Sequence, residues 1–401
     1  MSGETQLRLS DVAQAVLAHL ARVGEATRKS MAEAAGISFP TTTAALAELT
    51  AYGLVSELRR EQGARGRATL IYGVSPSAGW ILGVDIGSTQ ISLVAQRLDG
   101  AILEHETISH KGQALEASGL AGEEVSRLIR RIRGSGRLLA AAVALNQIVP
   151  RNIDAARSDR LPAPDMLDSF ARLAGLDPAV PILVENNVNC AAVAEHRDGI
   201  MQNVHDACYV QIGVGLGLSF FCDGVLIRGG YGASGELAQI PLSWSGDVAT
   251  PRHAIEIEYG SHGLIRKATA EWPQGTPPPS SAEDLFAAAE RGHPTARCLM
   301  ERHGKALARI AAAAATILDP SILVLGGGLA RSASFTAIVV EEFGQLNPRT
   351  KIAVSAKGAE ASVDGAALLA RDLAWAALVK AHYKPVLARP TIYQPQRDVT
   401  S

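Results

Sequence analysis

Cysteine is scarce: the 401 residues hold four, Cys190, Cys208, Cys222 and Cys298, each standing alone and none in a CxxC pair. That spacing excludes a disulfide framework and a zinc site built from cysteines, and it fits a reducing cytoplasm. The opening MSGETQLRLSD lacks a basic-then-apolar leader, and charge, glycine or proline interrupts every apolar run before it reaches bilayer length. Neither export nor membrane insertion is expected. Charge of one sign is missing as well, with 38 Lys plus Arg against 40 Asp plus Glu, so any contact with nucleic acid must be local. No long polar tract occurs, and 47% hydrophobic with 19% charged residues is the composition of packed domains, not of a disordered chain. The length suits two or three domains, a small N-terminal module and a two-lobed body.

What is present begins with three short helical patterns. Val12, Val16, Leu20 and Val23 recur at helical spacing after Asp11, and Gly24 ends that stripe. Thr27 caps a second helix containing Met31, Ala34 and Ala35, and Gly36 supplies the turn. Ser38 caps a third, where Pro40 is tolerated in the first turn, Leu46 and Leu49 face inward and Gly53 stops the run. Its outward positions are read as Phe39, Thr41, Thr42 and Ala45, which with Ser38 form a small or hydroxylated end suited to a major groove. From Leu54 the chain runs extended through Arg59 and Arg60, turns at residues 62–67 and returns as Ala68 to Tyr72, a hairpin wing. Arg59, Arg60, Arg65 and Arg67 outnumber two acids there, and glycine-flanked arginines can reach phosphates or a narrow minor groove. A solvated surface turn is the plain alternative.

After Pro76-Ser77-Ala78-Gly79, the run Trp80 to Gly87, then Ile91 to Gln96, then Asp99-Gly100 reads as strand, glycine turn, strand and hairpin turn. The same logic recurs in Cys208 to Gly213, Gly217 to Cys222 and Asp223-Gly224, so an internal duplication is expected. A third element, Asp319 to Gly328, is a buried strand ending in three glycines. Such glycine turns let a backbone approach phosphates closely.

Through these residues the chain resembles the ROK family of sugar kinases and repressors. GISFPTTTAALAELTAYGLV followed by GARGRATLIYGV resembles winged helix-turn-helix repressors. GVDIGSTQ resembles the family's first phosphate motif, VENNVNCAAVAE its catalytic and sugar-binding segment, GASGELAQIPL a second sugar segment and LDPSILVLGGGLA its adenosine motif. The resemblance implies an α/β fold: an actin-like, two-lobed, ribonuclease-H-like body over residues 79–401, preceded by an all-α/winged helix-turn-helix domain over residues 1–75.

The departures from the family pattern carry the function. In its kinases an aspartate after an asparagine takes the proton of the accepting hydroxyl, whereas here Glu185-Asn186-Asn187-Val188-Asn189 places an amide at 187. Ser88 and Gln90 stand where the first phosphate turn favours Gly and Lys, and Val214 stands where the second favours Thr. The family's structural zinc would lack ligands, because Gln239 occupies the histidine position, Leu242 to Gly246 contains no cysteine, and His253, His262 and His293 are scattered.

The resemblance therefore implies a non-enzymatic, DNA-binding regulator of carbohydrate-metabolism genes, in the first place a repressor. Its expected partners are operator DNA and a sugar effector held in a kinase-like cleft, with no cofactor and no metal. The sugar contacts it implies are Asn186, Asn187, Glu236 and Gln239, with Glu256 preferred over Glu258 as a further acid, while the first sugar loop, Ala144 to Pro150, is divergent. Helix capping is the alternative role for Asn186 and Asn187. An active ATP-dependent carbohydrate kinase with an appended DNA-binding module is the competing function. A homodimer or homotetramer is expected from operator symmetry.

Overall fold

The computed structural model describes residues 8–62, 68–111, 113–150, 164–240 and 253–393. Arg65 and Arg67 at the wing tip, and the cysteine-free Leu242 to Gly246 stretch, lie outside the described residues. The chain divides into two compact units, one made of Met1–Ala144, Ala163–Glu185 and Ala366–Ser401, the other of Leu145–Pro162 and Asn186–Gly365.

The first unit opens with helix α1 (Asp11–Val23), strand β1 (Glu25–Thr27), helices α2 (Arg28–Ala35) and α3 (Phe39–Ala51), and the hairpin β2 (Val55–Gln62) and β3 (Ala68–Val74). The Ser10, Thr27 and Ser38 hydroxyls accept the backbone N–H groups of Ala13, Ser30 and Thr41 at 3.2, 3.0 and 3.3 Å, caps worth about 1 kcal/mol each. Gly36, in the left-handed region at φ +64°, turns the chain from α2 towards α3. Val16, Leu17, Leu20, Met31, Leu46 and Leu49 are buried where the three helices pack. Strand β1, too short to show an alternating pattern, adds to the wing in the order β1-β3-β2.

One expectation about α3 is corrected. Thr42 and Ala45 point inward, 0% and 3% exposed, because positions 42, 45, 46 and 49 form one stripe at helical spacing. The Thr42 hydroxyl is further tied inward, donating to the Ser38 carbonyl at 3.0 Å. The outward face includes Phe39, Thr41, Thr43, Ala44 and Ala47.

The rest of this unit is a sheet and two helices: β4 (Trp80–Ile86), β5 (Gln90–Arg97), β6 (Ile102–Ser109), α4 (Ala114–Arg131), β7 (Leu138–Leu145), α5 (Pro164–Ala174) and β8 (Ile182–Asn186). A C-terminal strand, Thr391–Tyr393, pairs antiparallel with β8, so the sheet runs C-terminal strand-β8-β7-β4-β5-β6.

The second unit follows with α6 (Asn187–Asp198), β9 (Ala207–Ile212), β10 (Leu216–Cys222), β11 (Val225–Leu226), α7 (Ala254–Tyr259), α8 (Ser261–Glu271), α9 (Ala282–Glu290), α10 (Pro294–Leu318), β12 (Ile322–Gly326), α11 (Ala333–Leu346) and β13 (Lys351–Val354). Helix α12 (Ala361–Val379) begins here. The sheet order is β11-β10-β9-β12-β13, with β9, β12 and β13 mutually parallel along the row. Numbering the strands of each sheet from its own start gives the order 3-2-1-4-5 in this unit and the same order in the first, with the C-terminal strand added as a sixth at the edge, so the duplication expected from the turn chemistry is present in the topology. The hairpin turn Asp223-Gly224 has both φ angles positive, +50° and +72°, as a tight two-residue connection requires. Helices α9 and α10, the helix-rich stretch of the sequence, pack within this unit against α8 and α11.

Glu195 locks the end of α6. Its fully buried carboxylate accepts from the Ser355 hydroxyl, from Lys357 N at 3.2 Å and from Ile200 N at 2.9 Å. Glu195→Ala is expected to leave three donors without an acceptor and to cost about 2 kcal/mol or more, read as a lower urea midpoint. An unchanged midpoint would remove this knot from the stability account. Among the described residues no helix is long and apolar enough to cross a membrane.

Candidate effector site and nucleic-acid interface

The effector residues named from the sequence all belong to the second unit. Asn186 closes β8 and caps α6: its Oδ1 accepts from Val188 N at 2.9 Å and Asn189 N at 3.2 Å, and its Nδ2 donates to the Gln147 carbonyl at 3.1 Å. The capping role is thus the observed geometry for Asn186, and the same side chain holds the divergent 145–150 loop. Asn187 is different. It is buried, its carbonyl accepts from the Ser362 hydroxyl at 3.2 Å, and no protein hydrogen bond among the described residues engages its side-chain amide.

Two glycines bring the remaining groups to the head of β10. A β-carbon on Gly217 would meet Val188 Cγ2 at 2.7 Å, and one on Gly235 would meet the Leu218 carbonyl oxygen at 1.8 Å. The start of α6, the Gly213 to Gly217 turn and the Glu236 segment therefore converge only because both positions lack side chains. Glu236 is half-buried and accepts from Gln239 Nε2 at 3.4 Å. Burial pushes its carboxyl pKa up and the nearby Glu256 charge adds to the shift, while the Gln239 hydrogen bond and His253 oppose it.

Glu256 Oε2 accepts from Leu216 N at 3.2 Å, so a carboxylate already sits on one of the N–H groups of the second glycine turn. The α7–α8 junction clamps the same turn, with Ser261 N donating to the Gly213 carbonyl at 2.8 Å. Glu258 instead lies 2.7 Å from Lys267 Nζ. Of the two acids the sequence offered, Glu256 is the one at the turn. The glycine run after β12 adjoins it, since a β-carbon on Gly213 would lie 3.4 Å from Gly328 N. In the first unit the Gly87 to Gln90 turn closes on itself, Gly87 N donating to the Gln90 carbonyl at 3.0 Å.

The raised Glu236 pKa has a stability consequence. The folded chain binds this proton more tightly than the unfolded chain, so its contribution falls as pH rises from the unfolded to the folded pKa and is unfavourable at neutral pH. Glu236→Gln is therefore expected to raise the melting temperature of the ligand-free chain at pH 7, with the gain shrinking as the pH drops towards the ordinary carboxylate range. A lower melting temperature at pH 7 would contradict it.

The candidate nucleic-acid face is the outward side of α3 with the wing. Ser38 caps the helix at its exposed end and Phe39 is 54% exposed. The Arg28 guanidinium lies 5.3 Å from the Phe39 ring and 5.8 Å from the Tyr72 ring, and donates to the Tyr72 hydroxyl at 2.8 Å. Sequence reading missed Arg28, whose partners are 11 and 44 positions away; it missed Thr43, Ala44 and Ala47 although their place opposite the Leu46–Leu49 stripe was legible. Arg59 pairs with Glu25 and with Glu61 at 3.0 Å, and Arg60 with Glu57 at 2.9 Å, so the base of the wing carries its own counter-charges.

The model of the ROK family matches residues 81–373. The chain belongs to the ROK family. A bifunctional enzyme NanE/NanK of Brucella melitensis is 29% identical over 238 residues, 59% of this chain and 44% of that protein. A xylose repressor of Bacillus spizizenii is 23% identical over 223 residues, 55% of this chain and 57% of that protein. The chain thus spans about half the length of the first curated relatives it matches. An N-acetylmannosamine kinase of Salmonella typhi is 26% identical over 302 residues, 72% of this chain and 98% of its own length. Among solved structures, a ROK family transcriptional regulator homologous to the E. coli MLC protein superposes with a TM-score of 0.70 at 19% identity, covering 93% of this chain and 99% of that one. A ROK family glucokinase from Streptomyces griseus gives 0.60 at 22%, covering 73% and 99%. The ROK relatives thus include both repressors and sugar kinases, and the fold is theirs. Among the described residues no three His, Cys, Asp or Glu side chains gather as metal ligands, and the Gln239 amide, hydrogen-bonded to Glu236, is not a zinc ligand type.

Proposed function

We propose that this ROK chain is a DNA-binding transcriptional regulator, a repressor of carbohydrate-metabolism genes, that senses a sugar without phosphorylating it. Residues 1–75 act as the winged helix-turn-helix and residues 79–401 as the effector-binding and oligomerising body of a cytoplasmic homodimer or homotetramer. Asn187, Glu236 and Gln239 bind the sugar hydroxyls, Asn186 positions the loop beside them, and Glu256 adds a carboxylate at the neighbouring glycine turn. Operator DNA is read by Ser38, Phe39, Thr41 and the outward residues Thr43, Ala44 and Ala47, with Arg65 and Arg67 reaching phosphates or the minor groove and Arg59 and Arg60 bracing the wing.

The observation that carries this reading is the Glu256 carboxylate seated on Leu216 N. A phosphoryl group approaching that turn meets a negative charge where it needs a donor, and the amide at Asn187 cannot take a hydroxyl proton. Support also comes from the likeness to the MLC homologue, which covers 93% of the chain and so takes in its N-terminal module. The kinase reading draws on the N-acetylmannosamine kinase aligned over 98% of its own length.

Control by a sugar requires two states of the oligomer that differ in operator affinity, and the sugar shifts them only by its differential affinity. Fluorescence anisotropy with DNA from the gene's own promoter tests this: saturable binding, weakened at least about tenfold by one sugar of a hexose and pentose panel, is the expected result. A chain that ignores every promoter fragment refutes it.

A further inference from the structure

Residues 127–137 read RLIRRIRGSGR, five arginines without an acid in a chain of net charge −2. The run closes α4 and turns into β7, and all five arginines are exposed. Part of it has a use inside the fold. Arg127 pairs with Glu123 and Glu124, and Arg131 with Glu104 at 3.7 Å and Glu106 at 2.5 Å. Arg130 and Arg131 also stand in the last turn of α4, where the helix dipole favours cations. Arg133 and Arg137 have neither reason. They lie beyond the helix, on a turn in which Gly134 and Gly136 have φ of +97° and +89°. Among the described residues no carboxylate pairs with either of them, nor with Arg130, whose Nη1 donates to the Ser126 hydroxyl at 2.8 Å.

This turn packs on the linker that carries the N-terminal module. Trp80 donates its backbone N–H to the Arg137 carbonyl at 3.0 Å and its indole N–H to the Gly136 carbonyl at 3.2 Å. A β-carbon on Gly79, at φ +127°, would meet the Arg137 carbonyl oxygen at 2.7 Å, so the close fit requires glycine there. On its other side the linker holds the end of α3: Ser75 N donates to the Leu54 carbonyl at 2.9 Å and the Ser77 hydroxyl to the Gly53 carbonyl at 3.4 Å. The arginine turn and α3 thus share one short support. The Asp99-Gly100 hairpin, tied to the linker by Leu98 N donating to the Gly79 carbonyl at 3.0 Å, brings an acid, but Asp99 Oδ1 already accepts from Ala101 N at 2.9 Å.

A protein that holds duplex DNA must neutralise phosphates, and the N-terminal module is short of free cations. Residues 1–75 hold eight Lys and Arg against seven Asp and Glu, and Arg59 and Arg60 at the wing base are paired. We infer that Arg130, Arg133 and Arg137 form a second DNA-contacting surface, on the body, that holds the phosphate backbone beside the bases read by α3. The inference rests on the reading of this chain as a DNA-binding regulator. Phosphate contacts carry no sequence information, so the surface adds affinity and salt dependence and leaves specificity to the module.

Anisotropy titrations of the full chain with promoter DNA and with an unrelated duplex of equal length, each over a range of salt, test it. R133A/R137A, two exposed turn positions, should weaken both duplexes by the same factor, about tenfold, and lower the slope of log affinity against log salt by about 2. Its melting temperature and any stabilisation by sugar should stay unchanged, and R133K/R137K, which keeps the charge, should restore the slope. Unchanged affinity and slope in R133A/R137A, while T43E/A47E still weakens promoter binding, overturns this surface and leaves the module's role standing. No DNA binding by the unaltered chain overturns both. A loss confined to promoter DNA overturns the inference by making these arginines readers of sequence. So does an R133A/R137A variant that binds DNA normally but no longer sediments with phosphatidylglycerol vesicles, which would assign the turn to a membrane surface.

Discussion

Operator binding is expected to fall about a hundredfold when Thr43 and Ala47 are both replaced by glutamate, at nearly unchanged stability. Both positions lie on the exposed face of α3, outside the stripe Thr42, Ala45, Leu46 and Leu49 that packs on α1 and α2. Glutamate is a good helix former and exposed substitutions of this kind move stability by about 0.5 kcal/mol or less. At a surface that meets DNA, however, two added negative charges face a phosphate array, and like-charge juxtaposition costs several kcal/mol. Anisotropy and thermal melting separate the outcomes. Full affinity with a normal melt would take α3 out of the groove and move recognition to the wing alone.

The second large effect concerns the head of β10. The double variant N187A/E236A should abolish sugar-dependent stabilisation, which for a free ligand at a hundred times its Kd amounts to about 2.7 kcal/mol. The amide of Asn187 has no protein partner among the described residues, and Glu236 keeps a carboxylate in a half-buried place that raises its pKa. Groups left so are poorly used by the fold and well placed for a polyhydroxylated ligand. A variant that still melts later with sugar would show that the ligand binds elsewhere, whereas loss of the sugar response with DNA binding retained would isolate the sensor from the reader.

Local chemistry was the legible part of this chain. The three helix caps, the left-handed glycines and the paired Asp-Gly hairpin turns act over a few residues, and the duplicated strand order followed from them. Family likeness supplied the two-lobed fold and the candidate sugar residues. What escaped was set by distance along the chain. Arg28 meets Tyr72 across 44 positions, Glu256 reaches Leu216 across 40, and neither pairing has a periodic trace. Thr42 and Ala45 failed for another reason: small and hydroxylated side chains read as surface, yet the stripe set by Leu46 and Leu49 decides their direction. The ambiguity between Glu256 and Glu258 needed coordinates too, since acids two positions apart on a short helix face different neighbours.

The most direct test puts the purified full-length chain with its promoter DNA, magnesium ATP and the sugar that releases that DNA in a single reaction, following operator occupancy and sugar phosphate together. Sensing without chemistry means that DNA is released while no sugar phosphate accumulates above the uncatalysed background, and that Asn187→Asp alone leaves it so because Glu256 still holds the Leu216 amide. Steady formation of sugar phosphate by the unaltered chain at about 1 turnover per second or faster, within the ordinary range for enzymes, would contradict it and make this protein a kinase.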